Sequence, residues 1–369
     1  MLEKAQKIVT QYNELSDQIS NPEIINNHTK LASLAKEQSD LIDKSGKDRI
    51  VLSFYKYSFI GNPTIFRNYL YLKLSAIDVL GRIYIASEGI NAQISIPLEN
   101  LLFLSSELDK ITFLKNIRLN YALKSENKSF LKLTIKLRNK IVADGLNNQE
   151  IDLTQKGTYV DASEFNALLE KKDTICIDMR NHYESEVGHF KNAITPDVDT
   201  FRESLPLIEK IFSDEKKDKK FLLYCTGGIR CEKASAYLKH KGFKNVFQLE
   251  GGIIEYARQA REIKLENKFK GTNFVFDERK GERISEDIIS NCHLCNTSCD
   301  SHVNCANPAC NLLFIQCSNC SKTHDACCSP ECQKIINLPL DKQKSLRKAK
   351  KNSHKVFKKG RSKTLKYKI

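Results

Sequence analysis

Between residues 163 and 263 short apolar runs alternate with helical patterns: SEFNALLE, TICIDMR, TFRESLPLIEKIF, KFLLYC, EKASAYLKHKG, NVFQLEGG and IEYARQAREI. Short buried strands separated by helices leave few folds open, because each return to a parallel strand needs a crossover; they predict an α/β unit around a parallel sheet. At its centre stands FLLYCTGGIRCEKASAYL, residues 221–238. Here an apolar strand runs into Cys225-Thr226-Gly227-Gly228-Ile229-Arg230 and then into a helix. Glycines let successive amides of such a turn converge on one point, and the following helix aims its positive end there. A thiol at that point loses its proton more readily, and Arg230 reinforces the effect. Cys225 is therefore the candidate reactive residue, the amides of Thr226, Gly227, Gly228 and Ile229 its cradle. Cys231, next along, is either a resolving thiol or part of the helix packing. A buried structural cysteine in an ordinary strand-to-helix turn is the bland alternative.

A second cluster follows. Ten cysteines lie between residues 292 and 332: Cys292, Cys295, Cys299, Cys305, Cys310, Cys317, Cys320, Cys327, Cys328 and Cys332. Cys292-x-x-Cys295 and Cys317-x-x-Cys320 are knuckle pairs that bring two sulfurs onto one tetrahedral ion, which points to zinc. Eight ligands would make two closed sites and leave thiols over, and spacing does not assign the pairing. Iron–sulfur ligation stays open on cysteine ligands alone. No dinucleotide fingerprint is present, so no nucleotide cofactor is expected.

The charge is placed unevenly. Residues 341–369 hold thirteen Lys and Arg against one acid, a net +12 of the chain's +14. Lys348, Lys350, Lys351, Lys355, Lys358, Lys359 and Arg361 are the candidate contacts to a polyanion, most simply nucleic acid. A solvated tail is the alternative. No apolar run approaches the roughly 18 residues of a membrane span, and the amino end lacks the apolar core of a signal peptide. A cytosolic protein without a membrane partner is expected, its thirteen cysteines serving metal or catalysis.

Before the α/β unit, VLSFYKY reads as a strand and PTIFRNYLYLKLSAIDVL as a helix. GRIYIAS and NAQISI follow as strands, LENLLFLSSELDKI as a helix, and FLKLTIKLR as the final strand. The order βαββαβ is ferredoxin-like, an α+β domain. Tyr55, Tyr57, Arg82, Tyr84 and Arg138 offer stacking and phosphate contacts to RNA, or pack in the core. Residues 1–44 carry apolar positions at helical spacing on either side of Ser20-Asn21-Pro22-Glu23, a helical hairpin. The expected division is a hairpin over 1–46, a ferredoxin-like domain over 50–146, an α/β domain over 155–268, a Cys-rich module over 285–336 and a basic tail over 337–369.

Several of these stretches resemble known families. The six-residue loop, Asp178-Met179-Arg180, Glu184, Gly188-His189-Phe190 and Leu249-Glu250-Gly251-Gly252 look like a rhodanese domain. Phosphatase loops, C-x-x-x-x-x-R, are one residue longer. The rhodanese resemblance implies a persulfide on Cys225, held by the loop amides and Arg230, with Asp178 and Arg180 supporting the loop; many such loops have Arg where this one has Thr226. Across residues 50–360, SFYKY, GRIYIASEGINAQIS, KIVADG, DMRNHYESEVGHFKNA, YCTGGIRCEKASA, EGGIIEYAR, NFVFDERKGERIS and LLFIQC resemble the bacterial rhodanese-domain tRNA uridine hydroxylases. That resemblance implies oxygen-dependent hydroxylation of the wobble uridine to 5-hydroxyuridine, molecular oxygen as co-substrate, the anticodon arm of tRNA as partner, and Cys225 as catalytic residue. Residues 1–44 resemble the helical start of class I peptide chain release factors, but no GGQ tripeptide is present, and an appendage or a ribosome-related docking element are both open. A rhodanese-type sulfurtransferase and a non-enzymatic RNA- or ribosome-binding adaptor are the alternative functions.

Overall fold

Period-two alternation in RIVLSFYKY sorts one strand onto two faces. In the structure, a computed structural model, this stretch is β1 (Arg49–Tyr57), with Ile50, Leu52 and Phe54 buried in a core and Ser53, Tyr55 and Tyr57 on the opposite side. The structure describes residues 49–123, 129–146, 151–212 and 218–349, with the isolated positions Thr10, Glu14 and Gln18. Apart from those three positions the hairpin expected over 1–46 lies outside the described residues. So do Lys350, Lys351, Lys355, Lys358, Lys359 and Arg361; Lys348 is placed only as backbone within the helix Leu340–Ala349.

β1 pairs antiparallel with β3 (Gly89–Pro97), which pairs with β2 (Leu80–Ala86). Ile83, Ile85, Ile90, Ala92, Ile94 and Ile96 face the same core as Ile50 and Leu52, under helices α1 (Pro63–Ser75) and α2 (Leu101–Asp109). The helix expected through Leu80 stops at Ser75, because Asp78 takes a left-handed φ of 56° and Arg49 bonds its carbonyl and carboxylate at 2.6 and 3.1 Å. The ferredoxin-like set is closed by the two-residue β4 (Asn120–Tyr121) against β1, not by FLKLTIKLR. That stretch supplies β5 (Leu133–Leu137), a fifth strand parallel to β2 on the far edge, giving the order β4-β1-β3-β2-β5.

The α/β unit is as expected, a four-stranded parallel sheet in the order β6-β10-β9-β7: Thr158–Val160, Asn245–Leu249, Lys220–Tyr224 and Thr174–Asp178. Alternation along β9 feeds two cores. Phe221 and Leu223 pack with Leu205, Ile208, Ala234 and Leu238 on one side. Leu222 and Tyr224 pack with Phe165, Ile253 and Tyr256 on the other. Burial on both faces is why this strand reads as a continuous apolar run.

Beyond it, β8 (Gly188–Phe190), β11 (Phe269–Asn273) and β12 (Glu282–Arg283) form a small sheet. The hairpin β13 (His302–Asn304) and β14 (Leu313–Ile315) then carries the cysteine-rich module. Among the described residues no helix is long and apolar enough to cross a membrane.

Candidate functional site

Cys225 directly follows β9, and the loop turns back through Gly228, whose φ of 100° suits glycine. This turn brings the Gly228 amide to the Cys225 sulfur at 3.1 Å. The Gly251-Gly252 turn locks the loop from behind: the Ile253 amide donates to the Cys225 carbonyl at 3.0 Å and that of Ile254 to the Thr226 carbonyl at 3.3 Å. A Cβ at Gly252 would stand 2.5 Å from the Cys225 carbonyl, so only glycine permits this approach.

The electrostatics favour the thiolate. Burial pushes the Cys225 thiol up, but a hydrogen bond from the Cys231 thiol, the Arg230 charge and the Cys231 and Gly228 amides outweigh it, and the result is a pKa of about 5. Burial and the neighbouring Cys225 sulfur push Cys231 well up, so Cys231 stays a protonated donor. Arg230 is gripped by Glu184 in a bidentate pair at 2.7 and 2.8 Å and reaches the Thr226 hydroxyl at 3.3 Å.

Asp178 and Arg180 form a fully buried ion pair at 2.6 Å. Arg180 also donates to the Gly188 carbonyl at 2.5 Å, and the Met179 amide to the carbonyl of Tyr224, the residue before Cys225. The structure thus brings both beside the strand that carries Cys225, not to the sulfur.

A midpoint near 5 has a consequence for stability. The folded thiol ionises below its ordinary value of 9, so its contribution is complete above that value and is lost as pH falls toward 5. The stability difference between wild type and Cys225→Ser is expected to widen from pH 5 to 9 in denaturant titrations. Arg230→Met should move the thiolate absorbance midpoint up by about a unit or more, and Arg230→Lys by less. Because Glu184 would be left buried and unpaired, Arg230→Met should also cost about 3–5 kcal/mol.

The polar face of the ferredoxin-like sheet lies over this loop. The Tyr55 hydroxyl donates to Glu232 at 2.9 Å, the Tyr57 hydroxyl to the Ile229 carbonyl at 3.2 Å, and Asn120 to the Gly227 carbonyl at 3.3 Å. Lys233 bridges Glu88 and Asp144 at 2.7 and 2.5 Å, and Arg118 pairs with Glu250. Between the two domains is a cavity of about 1070 Å³ whose wall includes Cys225 through Gly227, Ile229, Arg230, Tyr55, Arg82, Tyr84, Arg202 and Phe276. Of the residues expected on an RNA face, Tyr55, Arg82 and Tyr84 line it, Tyr57 braces the loop, and Arg138 stacks on Tyr84 with its guanidinium 5.3 Å from the ring centre. Glu232 and Asn120 were missed in the sequence: β4 is only two residues long, and nothing local marks the partner of either.

The module's cysteines fall into two quartets: Cys292, Cys295, Cys317 and Cys320, and Cys305, Cys310, Cys328 and Cys332. Sulfur pairs stand 3.6 Å apart at Cys295–Cys317 and Cys310–Cys328, and 3.9 Å at Cys328–Cys332. A tetrahedral ion with bonds of about 2.3 Å sets its ligand sulfurs about 3.8 Å apart, so the donor sets fit one ion each. Cys299 and Cys327 belong to neither quartet, and both are buried. The module's core includes Tyr183, the neighbour of Glu184.

Three family models match the chain: the UPF0176 acylphosphatase-like domain over residues 49–141, the rhodanese-like domain over 161–259 and the rhodanase C-terminal model over 270–333. The tRNA uridine(34) hydroxylase of Photorhabdus laumondii is 50% identical over 348 residues, 94% of this chain and 95% of that protein. The protein of that name from Leptospira interrogans is 50% identical, covering 87% of both chains. The one from Pectobacterium carotovorum is 52% identical over 85% of this chain and 88% of its own.

Proposed function

The chain belongs to the tRNA uridine(34) hydroxylase family, and we propose that it hydroxylates carbon 5 of the wobble uridine of tRNA, giving 5-hydroxyuridine. Molecular oxygen is the co-substrate and Cys225 the catalytic residue. The observation that carries this reading is the thiolate-stabilising loop in the wall of a cavity roomy enough for a nucleotide. A base in an anticodon loop can be splayed out and stacked on Tyr55, Tyr84 or Phe276, with Arg82 and Arg202 available to phosphates. Asp178 and Arg180 act as positioning residues through the strand, and Cys231 as the donor that holds the thiolate. Two structural zinc ions, one per quartet, complete the C-terminal module. The spacing is that of ligands sharing one ion, whereas a four-iron cluster puts each cysteine on its own iron. The basic tail holds the anticodon arm, and the protein works in the cytoplasm.

Nucleoside mass spectrometry of tRNA tests the function. A strain without this gene should lack 5-hydroxyuridine at position 34, and a plasmid copy should restore it; unchanged nucleosides in the deletion strain would sink the reading. Truncation before residue 341 is expected to weaken tRNA binding and flatten its salt dependence. Each lost phosphate contact should lower the log–log slope by about 0.7–0.9. An unchanged slope would remove the tail from the binding site.

The same loop supports a second reading, sulfurtransfer through a Cys225 persulfide. Intact mass of protein incubated with a sulfane donor should then gain one sulfur atom at Cys225, and failure to load counts against it.

A further inference from the structure

The cavity beside Cys225 contains a polar group whose need is unmet. Asn120 lies on the two-residue strand β4, opposite Ser53 of β1, and is only 2% exposed. Its Nδ2 donates to the Gly227 carbonyl at 3.3 Å, while its Oδ1 is buried without a hydrogen-bond partner. A carbonyl can only accept, so Gly227 fixes the amide in this sense. Turning it over would set oxygen against oxygen. Asn120 therefore keeps an unused acceptor in the wall of the cavity that it lines with Ser53 and the cysteine loop.

We propose that Asn120 reads the base: its Oδ1 accepts the N3–H of the pyrimidine brought to Cys225 and so selects uridine over cytidine. This rests on the hydroxylase reading of the site. Uracil carries a proton on N3, whereas cytosine carries a lone pair there, which would face the Asn120 oxygen with nothing between them. The Ser53 hydroxyl, across the strand pair, is suited to donate to a ring carbonyl beside N3. Carbon 5 is two ring atoms from N3, so holding N3 also fixes the reacting carbon relative to the loop. One peptide unit keys the two functions together: its Gly227 carbonyl orients Asn120, and its Gly228 amide holds the Cys225 sulfur at 3.1 Å. Discrimination by an unpaired buried polar group is strong, because the wrong ligand leaves that group unsatisfied.

The test measures binding of the full-length protein to anticodon stem-loops carrying uridine, cytidine or 3-methyluridine at position 34. Wild type is expected to favour uridine over both others by about tenfold or more. Asn120→Ala should bring uridine and cytidine within about twofold, with the melting temperature recorded alongside. Equal wild-type affinity for the three RNAs, a comparison that needs no variant, overturns the inference, as does an undiminished uridine preference in Asn120→Ala. 5-Hydroxyuridine is followed in the deletion strain carrying wild type. If wild type makes none, the hydroxylase reading falls and the inference with it. If wild type makes 5-hydroxyuridine but binds the stem-loops equally, only the inference falls.

Discussion

Replacing Cys225 with alanine is expected to abolish 5-hydroxyuridine at position 34, by about a thousandfold or more, while tRNA binding stays near wild type. The residue has no exposed surface, and its sulfur accepts the Gly228 amide. Deleting the sulfur removes one buried acceptor and leaves the Gly228 and Cys231 amides unpaired, at about 1–3 kcal/mol each, which a chain with three separate apolar cores beside the module can absorb. Cys225→Ser separates chemistry from packing. A serine hydroxyl still accepts from Gly228 but does not ionise at neutral pH, so the serine variant should keep the fold, with its pH-dependent loss of stability, and be as inactive as alanine. Nucleoside mass spectrometry with melting curves reads both. Substantial 5-hydroxyuridine from either variant would remove Cys225 from the reaction.

The loop behind this expectation was legible in the sequence because its parts are local. Strand, thiol, glycines, arginine and helix lie within eighteen residues, and each acts on the next through backbone geometry. The sheet face was half legible: alternation puts Ser53, Tyr55 and Tyr57 on one side, but not what that side covers. Tyr55 meets Glu232 across 177 residues, and Asn120 meets Gly227 across 107. No periodicity carries such pairings. The closing strand was misread for a related reason. FLKLTIKLR alternates strongly but forms an edge, while Asn120–Tyr121 is too short for any periodic signal and is set by its register against Leu52 and Ser53. The Asp178–Arg180 pair was legible as a motif, and its distance from the sulfur's own partners was not.

Metal removal is the other large effect, and here the pairing decides the outcome. The quartets interleave along the chain: 292 and 295 join 317 and 320, while 305 and 310 join 328 and 332. Consecutive pairing would have made two independent knuckles. The interleaved arrangement ties the segment across itself, so an ion lost from one quartet would release chain belonging to the other. A full-length preparation should contain two metal ions per chain by elemental analysis. Cys317→Ser should lose at least one ion and unfold the module, since structural zinc contributes about 10 kcal/mol or more to folding of such units.

The effect should reach the active loop. Tyr183 packs into the module's core, ring to ring with Phe274 at 5.3 Å, and His293 of the module bonds Glu186 at 2.8 Å. Between those two contacts sits Glu184, which holds Arg230. A loosened module therefore frees the carboxylate that positions the arginine, and the Cys225 midpoint should drift upward from about 5 as metal is stripped. Chelator titration followed by thiolate absorbance measures this directly. Loss of metal with an unmoved midpoint would show that the module and the loop are energetically separate. Cys299→Ser, outside both quartets, should leave metal content and midpoint unchanged.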